Sequence, residues 1–216
     1  MSQPLAITIA ILSAYLLGSL PSAYIMGRLR HGMDIRTVGS RNMGAMNSIY
    51  NLGFFYGVIV LICDIGKGMA AVALAHLLGR ALDIRPDWWL YIEMAAGIIA
   101  ILGHNHPVWL RFKGGKGGAT AIGVVLYFIP WGWPIAIGIF IILLAITRVP
   151  TISYGMAMVS FPFVSWLLYH NGYYVIFATI VVLMPFINYI PRLFEMRRKG
   201  GSWKHVFHRN SIKDRF

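Results

Sequence analysis

The sequence predicts an all-α integral membrane protein of about seven transmembrane helices, with the N-terminus outside and the C-terminus cytoplasmic. Three observations carry that expectation. Apolar residues fill 58% of the 216 positions and charged residues only 12%, about half the charged share of a soluble domain, and the mean hydropathy is +0.67. A soluble helical domain of this size has too little interior for so much apolar surface. The second observation is a series of apolar runs of the length needed to cross about 30 Å of hydrocarbon. The third is the one-sided placement of the 19 Lys and Arg residues.

Along the chain, the first run covers 4–27. It lacks the basic leading segment of a cleaved leader and reads as a retained span. Runs at 53–79 and 88–110 follow. The long apolar region 118–147 is interrupted by Pro130-Trp131-Gly132-Trp133-Pro134. Prolines beside tryptophans suit a turn at the membrane interface, so this region divides into two short spans. Residues 153–169 and 172–190 make the sixth and seventh spans, parted by a turn at His170-Asn171-Gly172. The expected organisation is one domain over 1–195 and a basic cytoplasmic tail over 196–216.

Seven spans put the 28–52, 111–117 and 148–152 loops and the C-terminal segment after position 190 on one side. These hold four, three, one and eight Lys/Arg, sixteen of the nineteen. Arg80 and Arg85 fall on the other side, and Lys67 lies within a span. The rich side is therefore expected to be cytoplasmic. The net charge of +12 then reads as an orientation signal, and no nucleic-acid partner is expected. The tail, MRRKGGSWKHVFHRN from Met196, suits anionic lipid headgroups. The single cysteine, Cys63, allows neither a disulfide framework nor a cysteine-based metal site. The seven histidines show no HExxH spacing, so no metal or cofactor is expected. No inverted repeat of the transporter kind is evident.

Two of the cytoplasmic loops are unlike simple connectors. The first, GMDIRTVGSRNMGAMNSIYNLG from Gly32 to Gly53, holds the clusters Gly39-Ser40-Arg41-Asn42 and Gly44-Ala45-Met46-Asn47. Small residues let backbone approach a ligand, and Ser and Asn side chains then donate or accept at short range. The second is GHNHPVWLRFKGGKGGAT, from Gly103 to Thr120. Its Gly114-Gly115-Lys116-Gly117-Gly118 run opens a helix expected near Ala119-Thr120, where converging amides, the helix N-terminus and a lysine suit an anion. A glycine follows Lys116, so the nucleotide-binding GxxxxGK[ST] pattern is not met. The expected ligand is a phosphate held by backbone and lysine. Inside the bilayer, Asp64 and Lys67 share a helix face at i and i+3 and can pair. They act either as structural glue or as a hold on the loops. Glu93 lies near the outer interface, and His104 and His106 sit where the third span meets the glycine loop.

These stretches, GSLPSAY (Gly18–Tyr24), DIRTVGSRNMGAMN (Asp34–Asn47), DIGKG (Asp64–Gly68) and the glycine loop, occur in the order seen in one family. The chain resembles the membrane-integral, acyl-phosphate-dependent glycerol-3-phosphate acyltransferases, the PlsY family. The resemblance implies a multi-pass protein of the cell (inner or plasma) membrane with its active site on the cytoplasmic face. It implies transfer of an acyl chain from acyl-phosphate to the 1-hydroxyl of glycerol 3-phosphate, giving lysophosphatidic acid and phosphate, without a cofactor. The partners implied are these two substrates and membrane lipids, with a soluble acyl-phosphate-forming acyltransferase as a candidate. Ser40, Lys116, His104 and Thr151 are the catalytic candidates. Asn42, Gly44, Asn47, Gly114, Gly115, Gly117, Thr120, Arg41 and Arg148 are the candidates for substrate and phosphate binding, and Asp64 and Lys67 are structural.

The chain departs from that family at several positions. Arg41 stands where Gly is usual, Met46 where Thr is, and Tyr50 where an Arg is. Arg148-Val149-Pro150-Thr151 replaces an Arg-Tyr-x-Ser pattern, with Thr151 offering the hydroxyl. In FINYIPRL, Phe186 and Tyr189 take the places of a His and an Asn. Arg41 and Asn188 are the nearest groups able to stand in for the missing Arg and Asn. The competing readings are a divergent relative that binds a phosphate ester without catalysis or uses another acceptor, and, more remotely, a small-anion transporter.

Overall fold

The computed structural model describes residues 1–208; the end of the expected tail, 209–216, lies outside the described residues. Among the described residues every regular element is helical. In chain order the α-helices are α1 (Gln3–Gly18), α2 (Ser22–His31), α3 (Ala45–Leu52), α4 (Phe54–Ala81), α5 (Trp89–Asn105) and α6 (Gly118–Phe128). They continue as α7 (Trp133–Thr147), α8 (Pro150–Met158), α9 (Ser160–Tyr169), α10 (Gly172–Gly200) and α11 (Trp203–Phe207).

Among the described residues, five helical stretches are long and apolar enough to cross a membrane: Gln3–His31, Phe54–Ala81, Pro130–Thr147, Pro150–Tyr169 and Gly172–Gly200. The other two expected spans are shorter. Helix α5 has 17 residues, or about 25 Å, and α6 has 11, about 16 Å and roughly half the hydrocarbon thickness. Large apolar side chains such as Leu12, Ile62, Leu77, Ile141 and Ile142 are exposed on the helices. On a spanning protein these faces meet lipid.

The first expected span, 4–27, is broken. Pro21 has no N–H to give a helix and disfavours helical backbone at the residue before it, so α1 stops at Gly18 and α2 starts at Ser22. The break turns the Leu20 carbonyl out of the helix, where it accepts from Ser22 N at 3.1 Å and can take a side-chain donor as well. The Pro-Trp interruption forms as expected, with a 3-10 turn over Pro130–Gly132 leading into α7. At the other expected turn, His170 adopts a left-handed φ of 48° and the Asn171 side chain accepts from Tyr173 N at 2.9 Å, capping α10.

The chain forms two compact units, Met1–Phe128 and a second beginning at Ile129, where the sequence pointed to one domain over 1–195. In the second, α7 packs on α8 and α9 on α10. Helix α10 runs through position 196 without a break, ending at Gly200 with Gly201 left-handed at φ 74°.

In the first unit α4 packs against α1, α3, α5 and α6. Its contacts rely on small residues. Ala14, Ala71, Ala75, Ala96 and Ala100 form a fully buried cluster between α1, α4 and α5. A Cβ at Gly18 would strike the Ala100 backbone, and one at Gly123 would strike Ile65 O. In lipid, where apolar side chains gain little by leaving the solvent, such backbone-to-backbone approach supplies the packing attraction. It also places the ends of α1, α5 and α6 side by side, and the polar groups gather there.

Candidate active site

At the α1–α2 break, Lys67 Nζ donates to Leu20 O at 2.8 Å and pairs with Asp64 Oδ1 at 2.7 Å. Ser22 Oγ donates to the same carboxylate oxygen at 2.8 Å. His104 Nδ1 lies 3.6 Å from it, too far for a hydrogen bond. Asp64, Lys67 and His104 are all buried in protein. The i, i+3 pair expected from the sequence is therefore present. It does more than neutralise itself, because it ties the break between α1 and α2 to α4.

The other edge of the His104 ring faces the glycine loop. A Cβ on Gly115 would collide with His104 Nε2 and would lie 2.6 Å from Met43 O; one on Gly114 would collide with His104 O. Gly115 N donates to His104 O and Gly114 N to Asn105 O, each at 3.1 Å. This corrects one expectation. The amides of Gly114 and Gly115 turn inward to the end of α5 and are not presented to an anion, and these positions are glycine because the loop lies directly on His104 and on Met43. Gly117 is left-handed at φ 85°, beside Asn105 Oδ1. Its carbonyl accepts from Ala121 N at 2.8 Å, starting α6. Lys116, half-buried, stands in the loop between Gly115 and Gly117.

Four buried polar atoms of this unit have no hydrogen-bond partner in the protein: Ser19 Oγ, His104 Nδ1, Asn105 Oδ1 and Thr120 Oγ1. A buried polar group left unpaired costs about 1–3 kcal/mol. Their concentration at the ends of α1, α5 and α6 marks this as the place where a polar ligand is best received.

The first loop is shaped by Asn47. Its Nδ2 donates to Ile35 O at 3.0 Å and Val38 O at 3.1 Å, while its Oδ1 accepts from Ser40 N and Asn51 Nδ2, each at 3.0 Å. That uses all four of its bonding positions. Asn47 thus folds the loop and presents Ser40, and it has no amide group left for a substrate, contrary to its expected binding role. Ser40 and Asn42 are half-buried and Arg41 is exposed. Gly44 caps α3, and a Cβ there would lie 2.9 Å from Asn42 Nδ2. Arg41 holds a φ of 56°, left-handed backbone that glycine enters freely and other residues adopt at about 1–2 kcal/mol. The glycine usual at this position in the resembling family has a physical reason, which Arg41 overrides.

Arg148 and Thr151 belong to the second unit. Arg148 ends α7 in left-handed backbone at φ 57°, and Thr151 lies half-buried in the first turn of α8. Beside them Ser153 Oγ donates to Val149 O at 3.1 Å and lies 2.9 Å from Thr147 Oγ1. Tyr189, in the place of the expected polar residue, donates its hydroxyl to Met196 Sδ at 3.5 Å.

Sequence reasoning passed over three contributors. Asn105 supports the loop from below, and the Leu20 carbonyl anchors Lys67. Arg36 bridges the two loops, donating from Nη1 to Lys113 O at 3.2 Å and Leu110 O at 3.4 Å. The proline within the first span and the Asp-x-Arg spacing were the available signals. The Arg36 guanidinium also holds the Asp34 carboxyl below its ordinary range, chiefly through their side-chain hydrogen bonds.

A broken first helix, a buried ion pair and a glycine–lysine loop over a buried histidine define a helical membrane protein with a cluster of unpartnered polar atoms at the ends of its helices. The chain belongs to the glycerol-3-phosphate acyltransferase family, whose model matches residues 8–196. It is 49% identical over 217 residues, spanning both chains completely, to glycerol-3-phosphate acyltransferase 2 of Dehalococcoides mccartyi. It is 39% identical to a glycerol-3-phosphate acyltransferase of a Synechococcus strain over 173 residues, 79% of this chain and 80% of the relative. The crystal structure of PlsY, an integral membrane glycerol 3-phosphate acyltransferase in its glycerol 3-phosphate form, matches with a TM-score of 0.77 and 26% identity, covering 97% of this chain and 95% of that one.

Proposed function

We propose that the chain acylates glycerol 3-phosphate with acyl-phosphate on the cytoplasmic face of the cell membrane, giving lysophosphatidic acid and inorganic phosphate. The observation that carries this reading is the meeting of the two loops at Gly115, over buried His104 and next to Lys116. A phosphate ester received there finds a cation, and the polar atoms of Asn105 and Thr120 lie close by. The orientation rests on the sixteen Lys/Arg of the loops and the C-terminal segment.

The reaction makes modest demands. The glycerol hydroxyl oxygen attacks the acyl carbon, the bond from that carbon to the phosphate oxygen breaks, and the bonding pair leaves on phosphate. The hydroxyl proton ends on a phosphate oxygen. Lys116 would hold the charge that develops on the leaving group, as fixed donors do best where water is scarce. Ser40 and Asn42, presented by the Asn47-braced loop, would orient the acceptor, and proximity contributes several kcal/mol. His104 would act beneath the loop as its support. A reaction that makes acyl-phosphate must precede this one, and a soluble acyltransferase is a candidate for it.

The test is conversion of labelled glycerol 3-phosphate by the purified chain in liposomes. Labelled lysophosphatidic acid that appears only with acyl-phosphate supports the reading; binding of the label without product favours the non-catalytic alternative. Arg41→Gly probes the departure at that position while easing its backbone. Stability should stay level or rise by up to about 1 kcal/mol. The KM for glycerol 3-phosphate should rise about tenfold if Arg41 stands in for the missing arginine, a loss of about 1.4 kcal/mol in binding. An unchanged KM would remove Arg41 from the acceptor site.

A further inference from the structure

The glycine loop is preceded by an unusual turn. Arg111 and Phe112 are consecutive left-handed residues, at φ 53° and 61°, a conformation that single non-glycine residues visit rarely and pairs more rarely still. Packing does little to secure them, since Phe112 and the neighbouring Trp109 are largely exposed. Backbone bonds close part of the turn: Phe112 N donates to Pro107 O at 3.0 Å and Lys113 N to Leu110 O at 3.2 Å. Gly114, Gly115 and Lys116 follow at once, so the direction in which the chain leaves this turn sets where Lys116 stands.

Both carbonyls that bracket the left-handed pair, Leu110 O and Lys113 O, accept from one guanidinium nitrogen, Nη1 of Arg36. The rest of that guanidinium is committed to its own loop. Nη2 donates to Asp34 Oδ2 at 2.7 Å and Nε to Oδ1 at 3.0 Å, a bidentate pair, and Cζ lies 5.3 Å from the Tyr24 ring centroid on α2. Asp34 Oδ1 also accepts from Arg36 N at 3.0 Å. The fork is thus oriented on two sides and aimed at the turn with the third. A planar guanidinium can do this and a lysine ammonium cannot.

We propose that Arg36 is a positioning residue: oriented by Asp34 and Tyr24, it straps the Leu110–Lys113 turn to the first loop and so fixes the glycine loop and Lys116 for substrate. The kinetic consequence rests on the acyltransferase reading above, while the strap itself does not. A loop freed from the strap holds its binding geometry for only part of the time. Apparent affinity then falls by that fraction, while turnover of bound substrate stays near normal.

The test compares Arg36→Ala, Arg36→Lys and Asp34→Asn with the unaltered chain in liposomes, by amide hydrogen exchange and by steady-state kinetics. Peptides covering 108–118 should exchange about tenfold faster in Arg36→Ala and in Arg36→Lys, with α4 and α5 unchanged, as expected for a local opening. KM for the phosphate substrates should rise about tenfold while kcat stays within about twofold. Asp34→Asn, which leaves the guanidinium in place but loosens its aim, should show the same pattern at smaller amplitude. Unchanged exchange across 108–118 in Arg36→Ala, or a fall in kcat at constant KM, would overturn the strap. Should Arg36→Ala fail to fold, the Arg36→Lys and Asp34→Asn exchange rates decide. An unaltered chain with no acyl transfer would sink the functional reading instead, with the exchange comparison still deciding the strap.

Discussion

Lys67→Met is expected to destabilise the protein by about 3–5 kcal/mol, seen as a fall of about 10 °C in the thermal midpoint of the detergent-solubilised chain. Methionine fills most of the volume but leaves the Asp64 carboxylate in protein interior without its 2.7 Å partner. It also strips a donor from Leu20 O, the carbonyl that Pro21 detaches from the helix. The remaining partner, Ser22 Oγ, is a neutral donor and compensates weakly for a lost charge. The double variant Asp64→Leu/Lys67→Met removes both charges and should recover a large part of the loss, because an apolar replacement of a whole buried pair is often tolerated. A Lys67→Met protein within about 1 kcal/mol of the original would mean that Asp64 finds water or sheds its charge there, and that the pair does not hold the α1–α2 break.

Gly115→Ala should cost about 1–3 kcal/mol of stability, the range for overpacking a close-packed site, and lower kcat/KM by about a hundredfold, the scale on which an ångström of misplacement acts. The added methyl meets two groups that cannot both give way. The His104 ring is 3% exposed and is enclosed by Asp64 on its far side. The Met43 carbonyl is backbone, 2.6 Å from the new carbon. The loop itself must therefore move, carrying Lys116 with it. Gly66→Ala, the same substitution within α4 with nothing within 4 Å of its Cβ, is the matched control and should leave activity unchanged. Equal kcat/KM in Gly115→Ala and the control would separate the glycine loop from the reaction.

Much of the fold was legible in the sequence because lipid imposes a simple rule: apolar runs of sufficient length become helices. The Pro-Trp turn and the His170 turn fell where Pro, Gly and Asn punctuated those runs. The break after Gly18 was not foreseen, although Pro21 stood in the run, since a proline within a span can kink the helix as readily as end it. The short α6 was legible too, because Pro130 cuts the run that opens at Gly118 into a short span. In the site, the glycine–lysine stretch and the Asp64–Lys67 pair were readable from residue type and spacing. The actual work of the glycines was not. Clearance against His104 and Met43 is a tertiary property, and so is the commitment of the Asn47 amide to Ile35, Val38, Ser40 and Asn51. Arg36 looked like one more positive charge, because its fork geometry and its two carbonyl partners, 74 and 77 residues away, leave no local trace.

The most direct measurement of the central claim is phosphate release from acyl-phosphate by the purified chain in lipid, with and without glycerol 3-phosphate, beside Lys116→Ala. The account predicts release that depends on the acceptor and falls at least a hundredfold in the variant, the range seen when a charge-stabilising donor is removed. Acceptor-dependent release that persists undiminished in Lys116→Ala would contradict it, by showing that the reaction proceeds without the loop that Gly114, Gly115 and His104 are built to hold.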